Sequence, residues 1–204
     1  MLNQNFIILG VIISFLGSMS YLIDTLKGKV KPNRISWFMW GLAPMIAFIA
    51  ELEKGVGLQA LMTFMAGVQP LLIFIASFIN KKSVWKLTRF DFMCGLFSLL
   101  GLLFWSITKE ANIAIIFSIF ADGIAGIPTI VKSFSAPETE NYHGFLASTI
   151  SAGITLLTIK TWTIANYGFP LYIFIICLFL TVLIKYNVGK LLQKSTKLRT
   201  DYKK

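Results

Sequence analysis

One carboxylic acid lies deep inside an apolar stretch of the chain. Asp122 is near the middle of the run from 111 to 133, and Ser118, Ala125 and Thr129 lie on the same face at helical spacing. An ionisable side chain at the centre of a membrane helix costs about 2.5–3.5 kcal/mol on insertion scales, so it normally faces other helices or water. Burial also disfavours the charged form of a carboxyl group. Asp122 is therefore a candidate for binding a proton or a polar solute, with a structural hydrogen bond as the alternative.

Further polar side chains interrupt the other apolar runs. Gln69 precedes Pro70 near the middle of one run, where a proline removes a backbone hydrogen bond and bends a helix. Hydroxyl groups recur at helical spacing from Ser148 to Thr158, which suits either a polar path or close helix packing. The candidate substrate-binding residues are Asp122, Gln69, Ser18, Tyr21, Ser151, Thr155 and Asn166, and the candidate hinges are Pro44, Pro70 and Pro128.

Motifs for covalent or metal chemistry are not recognisable in the chain. It has no nucleophile elbow, phosphate-binding loop, paired cysteine cluster or His-x-x-x-His pattern. Cys94 and Cys177 both fall inside apolar runs, which is typical of buried cysteines and indicates neither a disulfide nor a metal site. We expect no enzyme activity, no cofactor and no metal.

The composition is that of an integral membrane protein. The chain has 204 residues, of which 56% are hydrophobic and 14% charged, whereas soluble domains carry about 25% charged residues. The polar tracts are too short to fold alone, so we expect one membrane domain over residues 1–204. No basic residue precedes the first apolar run, which we interpret as a first span rather than a signal peptide.

Seven apolar runs are long enough to be considered as membrane spans, which need about 20 residues. Backbone polar groups in lipid must be satisfied within the protein, so the runs are predicted to be helices. Trp37 and Trp40 open the short second run, where we expect them to act as interfacial aromatic anchors. The predicted spans are roughly 6–25, 35–51, 56–78, 90–108, 111–133, 143–164 and 167–186.

Basic residues concentrate on one side of these spans. Of the 19 Lys and Arg residues, only Lys54, Lys109 and Lys160 fall on the other side. The positive-inside rule then places the N-terminus outside the cell and the C-terminus in the cytoplasm. Binding to anionic lipid explains the basic tail better than binding to nucleic acid does. The sequence shows no combination of aromatic and basic residues that would form a nucleic-acid-binding surface.

The two halves of the chain share a plan. An offset of about 105 residues brings spans 1–3 onto spans 5–7, with Pro32 on Pro137 and Lys27 on Lys132. Because four spans separate equivalent helices, the repeat is parallel. The predicted fold is all-α: two parallel three-helix bundles (1–80 and 111–186), joined by a linker helix (90–108) and followed by a basic cytoplasmic tail (187–204).

This plan resembles the SWEET sugar transporters and the wider PQ-loop family, in which two three-helix bundles are joined by a linker helix and the N-terminus is outside. The segment from Gly126 to Thr129 looks like the proline-containing half of the family's fifth helix, and Pro44 is similar to its second-helix proline. The bacterial nicotinamide riboside transporters have the same seven-helix plan. The resemblance implies that the third helix of each bundle lies between the other two, and that a sugar, nucleoside-like or vitamin-like solute is carried.

Two functions from different classes remain open. One is a transporter in the cell membrane that moves a small polar solute by alternating access, with proton coupling through Asp122 among helices 1, 5 and 6. The alternative is a receptor or partner-binding subunit with the same helices, because fold alone does not decide function. A polar cavity enclosed by helices 1–3 and 5–7 would favour the transporter, and a closed dry core would favour the receptor. A homo-oligomer is compatible with either.

Overall fold

The structure, a computed structural model, describes residues 2–108 and 110–192. This part of the chain is helical and contains no β-strand, so the all-α prediction is confirmed. Each helix overlaps one predicted run, although α3 begins four residues later than predicted and α6 ends six residues earlier. Their bounds are α1 (Phe6–Leu26), α2 (Arg34–Glu53), α3 (Ala60–Ala76), α4 (Arg89–Thr108), α5 (Ala111–Ser135), α6 (Tyr142–Thr158) and α7 (Ile164–Lys185), with a 3₁₀ helix (Pro137–Thr139) before α6.

Four of the described helices are long and apolar enough to cross a membrane: α1, α2, α5 and α7. The shorter α3 is also an apolar helix, of 17 residues. Their outward faces carry large apolar side chains such as Leu16, Phe120 and Ile175, each more than half exposed. Apolar surface of this extent would be unfavourable in water. The chain therefore has the features of a multi-pass membrane protein.

Asparagine side chains begin two of the helices. Asn33 accepts hydrogen bonds from two backbone N–H groups in the first turn of α2, and Asn141 accepts one in the first turn of α6. These caps satisfy donors that a helix N-terminus leaves free. Each amide group also donates to a carboxylate: Asn33 to Asp91 Oδ1 at 2.7 Å and Asn141 to Asp24 Oδ2 at 2.6 Å. The caps thus connect α2 to α4 and α6 to α1.

The third helix of each triplet lies between the other two. The α3 backbone contacts α1 and α2, and the α7 backbone contacts α5 and α6. Among these described helices, no Cα atom of α1 comes within 8 Å of α2, and none of α5 comes within 8 Å of α6. The triplets meet where α1 packs on α6 and α2 packs on α5, while α4 packs against α5 and α2.

The connections that carry most of the basic residues lie together at one end of the molecule, which we call the basic end. The Lys31 N–H donates to the Thr139 carbonyl at 3.0 Å, and the Asn80 side chain donates to the Leu26 carbonyl at 2.8 Å. At the opposite end, the Leu2 N–H donates to the Leu157 carbonyl at 3.0 Å. Of the predicted tail, residues 193–204 lie outside the described residues, as does Lys109.

The contact between α1 and α6 depends on a glycine. A methyl group added at Gly17 would lie 2.2 Å from Ala147 Cβ and 3.0 Å from the His143 carbonyl oxygen. We expect Gly17→Ala to lower the free energy of unfolding by about 1–3 kcal/mol, because overpacking forces the two helices apart. Thermal or denaturant unfolding of the purified protein in detergent measures this effect.

Gly57→Ala is the matched control for this substitution. Gly57 is exposed in the loop before α3, and the nearest atom to an added methyl group is Gln59 Oε1 at 3.6 Å, an ordinary contact. The stability of the Gly57→Ala variant should remain unchanged or rise slightly, because alanine restricts the backbone conformations of the unfolded chain. Equal losses in the two variants would contradict a close approach of α1 to α6.

Candidate functional site

A cavity is lined by six helices, α1 to α3 and α5 to α7. Its empty volume is about 700 Å³, a figure that includes space open to solvent. The walls are mostly apolar and carry polar groups at a few positions, which is the usual character of a small-molecule site. The polar members of the lining are Ser14, Ser18, Tyr21, Trp37, Trp40, Gln69, Asp122, Ser148 and Ser151.

Asp122 faces this cavity and is only 2% exposed. The hydroxyl group of Tyr172 on α7 donates to its Oδ2 atom at 2.7 Å, and Oδ1 has no protein partner. The Trp40 Nε1 atom on α2 donates to the Asp122 backbone carbonyl at 3.1 Å. The polar neighbours of Asp122 therefore come from α2 and α7, which corrects the expectation that it lies among helices 1, 5 and 6.

Gln69 lies on another wall of the cavity. Its carbonyl oxygen accepts hydrogen bonds from the hydroxyl groups of Ser14 at 3.0 Å and Ser18 at 2.5 Å. The amide nitrogen of Gln69 is buried without a protein partner. Since both serines come from α1, these bonds hold α1 and α3 together and direct two N–H donors to other contacts.

Four aromatic rings form one wall of the cavity, here called the aromatic wall: Tyr21, Trp37, Trp40 and Phe145. The centroids of Trp37 and Trp40 are 5.3 Å apart in a T-shaped arrangement, and Phe145 lies about equally far from both. Both tryptophans are buried. The expectation that they are interfacial anchors is wrong, because these two rings pack inside the protein rather than against lipid headgroups.

Polar atoms without protein partners recur around the cavity. They include Asp122 Oδ1, Gln69 Nε2 and Ser151 Oγ, all on buried residues in the lining. Most buried polar atoms in proteins have a hydrogen-bond partner, so such a group of exceptions needs an explanation. A ligand that supplies a donor to Asp122 and an acceptor to Gln69 would satisfy them.

A buried ion pair lies at the basic end of the cavity. Lys132 Nζ is 2.6 Å from Glu140 Oε1, and both side chains are at most 1% exposed. The Tyr21 hydroxyl donates to Glu140 Oε2 at 2.6 Å, and Lys132 also donates to the Lys31 carbonyl. Lys132 lies in the last turns of α5. Tyr21 thus connects this ion pair to the cavity wall.

The remaining predicted residues have different placements. Ser151 lines the cavity, whereas Thr155 is buried one turn further on and donates to the Ser151 carbonyl at 2.9 Å. Asn166 lies outside the lining, in the first turn of α7, and donates to Thr163 at 2.7 Å. Pro70 lines the cavity, and Pro44 and Pro128 are buried inside α2 and α5.

The capping asparagines suggest a repeat register that the sequence comparison missed. Asn33 and Asn141 occupy the same position in α2 and α6 and are 108 residues apart, three more than the offset used to align the halves. At this offset, four pairs of equivalent residues have both members in the cavity lining, whereas the equivalents of Ser18 and Tyr21, Gly126 and Thr129, lie outside it. The pairs are Ser14 with Asp122, Trp37 with Phe145, Trp40 with Ser148, and Gln69 with Cys177.

Acidic residues other than Asp122 are also buried, contrary to what their positions near helix ends indicate. Glu51 is 1% exposed and accepts a hydrogen bond from Thr63 at 2.9 Å, but it does not line the cavity. Asp91 is buried against the Asn33 cap. Tyr172, the partner of Asp122, is a polar residue of the seventh apolar run but not one of the candidate binding residues, because a tyrosine inside an apolar helix gives no signal of such a contact.

The buried ion pair generates a stability prediction. Lys132→Met should lower the free energy of unfolding by about 3–5 kcal/mol, because it leaves Glu140 buried without its counter-charge. Changing Glu140→Gln in the same chain should recover much of this loss. Unfolding in detergent, monitored by circular dichroism, measures both effects.

Lys190→Met is the control at an exposed ion pair of similar length. Lys190 Nζ is 2.7 Å from Glu138 Oε2, and both side chains are at least half exposed. The hydrogen bond from Lys190 lowers the pKa of Glu138, but an exposed pair contributes only about 0–1 kcal/mol. If both lysine variants lose the same stability, Lys132 does not belong to a buried network.

Comparison with known proteins gives no further information about this site. No protein-family model matches the chain, and no curated protein or solved structure is significantly similar to it.

Proposed function

We propose that this protein is a multi-pass membrane transporter that moves a small polar solute through the cavity by alternating access. The observation that carries the proposal is that all six helices of the two triplets line one cavity, which contains unpaired polar atoms. Transporters built from repeats commonly bind their solute between the repeats. A subunit that binds only a protein partner would not need such a cavity.

The proposed architecture is seven membrane helices in two parallel three-helix bundles, with α4 as the linker, similar to the SWEET and PQ-loop plan. Three observations support it: the middle position of α3 and α7, the equivalent contacts of α1 with α6 and α2 with α5, and the shared repeat register of cavity residues. On this basis the solute classes to be tested first are sugars, nucleosides and vitamins.

Alternating access requires packing at each end of the cavity that can open in turn. At the basic end, Tyr21, Glu140 and Lys132 are joined by short hydrogen bonds. At the other end, small and apolar side chains of α2, α3, α5 and α7 pack together. Pro44, Pro70 and Pro128 interrupt the backbone hydrogen bonding of three helices between these ends, so they are suitable hinge positions.

The proposed topology in the cell membrane has the N-terminus outside and the basic end in the cytoplasm. A fluorescent reporter fused after Lys204 should therefore be active in the cytoplasm, and a periplasmic enzyme reporter at the same place should be inactive. The reverse activities would overturn the orientation. A reporter inserted in the Gly55 loop, which lies at the other end of α2, is the internal control.

Asp122 is the proposed proton-linked residue. Asp122→Asn keeps nearly the same shape and can still accept from Tyr172, so the protein should fold. Solute uptake into vesicles by this variant should no longer depend on pH, because the only acid in the described cavity lining has been removed. The titratable groups that face Asp122 are Tyr172 and Cys177 of α7.

Wild-type protein measured in the same vesicles is the reference for this experiment, and Glu51→Gln is the matched control because Glu51 is a buried acid outside the cavity. An unchanged pH profile in Asp122→Asn, with uptake retained, would show that the acid is a structural group in a carrier without proton coupling.

A further inference from the structure

The charge of the cavity is unbalanced. Asp122 is the one Asp, Glu, Lys, Arg or His residue among the described lining residues, and its Oδ1 atom has no protein partner. The nearest buried cation along α5, Lys132, is bound to Glu140 and to the Lys31 carbonyl and is not part of the lining. An ionised buried carboxylate normally has a cationic partner. In this cavity, only the solute or a proton could provide it.

The aromatic wall contacts the backbone of the residue that carries this carboxyl group. Trp40 donates to the backbone carbonyl of Asp122 itself, and its ring packs against those of Trp37 and Phe145. A positive charge over an aromatic face is stabilised by about 0.5–2 kcal/mol, and tryptophan gives the strongest effect. A cation beside Asp122 would therefore have both a counter-charge and aromatic rings within the same cavity.

The part of the cavity wall that contains Gln69 favours a ligand with a hydrogen-bond acceptor. The hydroxyl groups of Ser14 and Ser18 occupy the carbonyl oxygen of Gln69, so its amide nitrogen presents donors alone. Satisfying these donors requires an oxygen or a similar acceptor on the ligand. The cavity thus combines a site for positive charge with a site for a hydrogen-bond acceptor.

We propose that the solute is a monovalent organic cation that also carries a hydrogen-bond acceptor, such as an ammonium group with a hydroxyl or carbonyl oxygen. This inference rests on the proposed transport function. The cationic group lies against Asp122 and the aromatic wall, and the acceptor lies against Gln69. An anion would be repelled by an ionised Asp122, and a neutral sugar would leave a proton as the sole means of neutralising it.

Matched ligands test the charge directly. Choline and acetylcholine serve as cationic probes, and their carbon analogues, in which a tert-butyl group replaces the trimethylammonium group, have the same shape without the charge. Isothermal titration of the full chain in lipid nanodiscs should show that each cation binds at least about tenfold more tightly than its analogue. Glucose serves as a neutral polar probe and should bind more weakly than either cation.

Two variants and one control test whether the preference for cations arises in the cavity. Asp122→Asn should abolish it, while Glu51→Gln, which neutralises a buried acid elsewhere, should leave it unchanged. Trp37→Leu keeps the carboxyl group and removes an aromatic face. It should therefore weaken the binding of the cations and leave the binding of the carbon analogues unchanged. Circular dichroism checks that each variant is folded.

The outcomes separate this inference from the transport function. Equal binding of a cation and its analogue, no binding of either cation, or a preference retained in Asp122→Asn would each overturn the cation assignment. Uptake of a neutral solute into vesicles would still support the transporter. If no solute of any class crosses vesicles that contain the folded protein, the transport function itself is wrong.

Discussion

Polar side chains within these helices must find their partners inside the protein, because the outer faces of the helices are apolar. Most of the buried charged side chains have such partners. Lys132 binds Glu140, and the two Asn caps bind Asp91 and Asp24. These contacts join helix ends at the basic end of the molecule. Since the ends are connected in this way, the middle of the molecule can contain a cavity without losing the arrangement of its helices.

Helix positions could be predicted from the sequence because the apolar runs are long and separated by short polar loops. The depth of Asp122 and the position of Gln69 also predicted that both lie inside the protein. Trp37 and Trp40 were misplaced because a tryptophan at a helix start has the same sequence signal in an interface and in a cavity wall. The buried ion pair of Lys132 could not be predicted, because its partner Glu140 becomes a neighbour only through the turn before α6.

The two triplets contribute different chemistry to equivalent positions of the cavity. Where the first half has Ser14 the second has Asp122, and where the first has Gln69 the second has Cys177. Acid and amide therefore lie on different triplets. A solute held between them would contact both halves, with its cationic end on one and its acceptor on the other. This asymmetry would fix the orientation of the proposed solute, which two identical halves would not do.

Glu51 shows why Asp122 has a functional rather than a structural interpretation. Each acid is buried, each accepts one hydrogen bond from a hydroxyl group, and each has a second oxygen without a protein partner. Burial and pairing alone do not distinguish them. The difference is their surroundings, since Asp122 faces a cavity lined by aromatic rings and an unpaired amide and Glu51 does not. A carboxyl group needs room beside it to exchange one partner for another, and only Asp122 has that room.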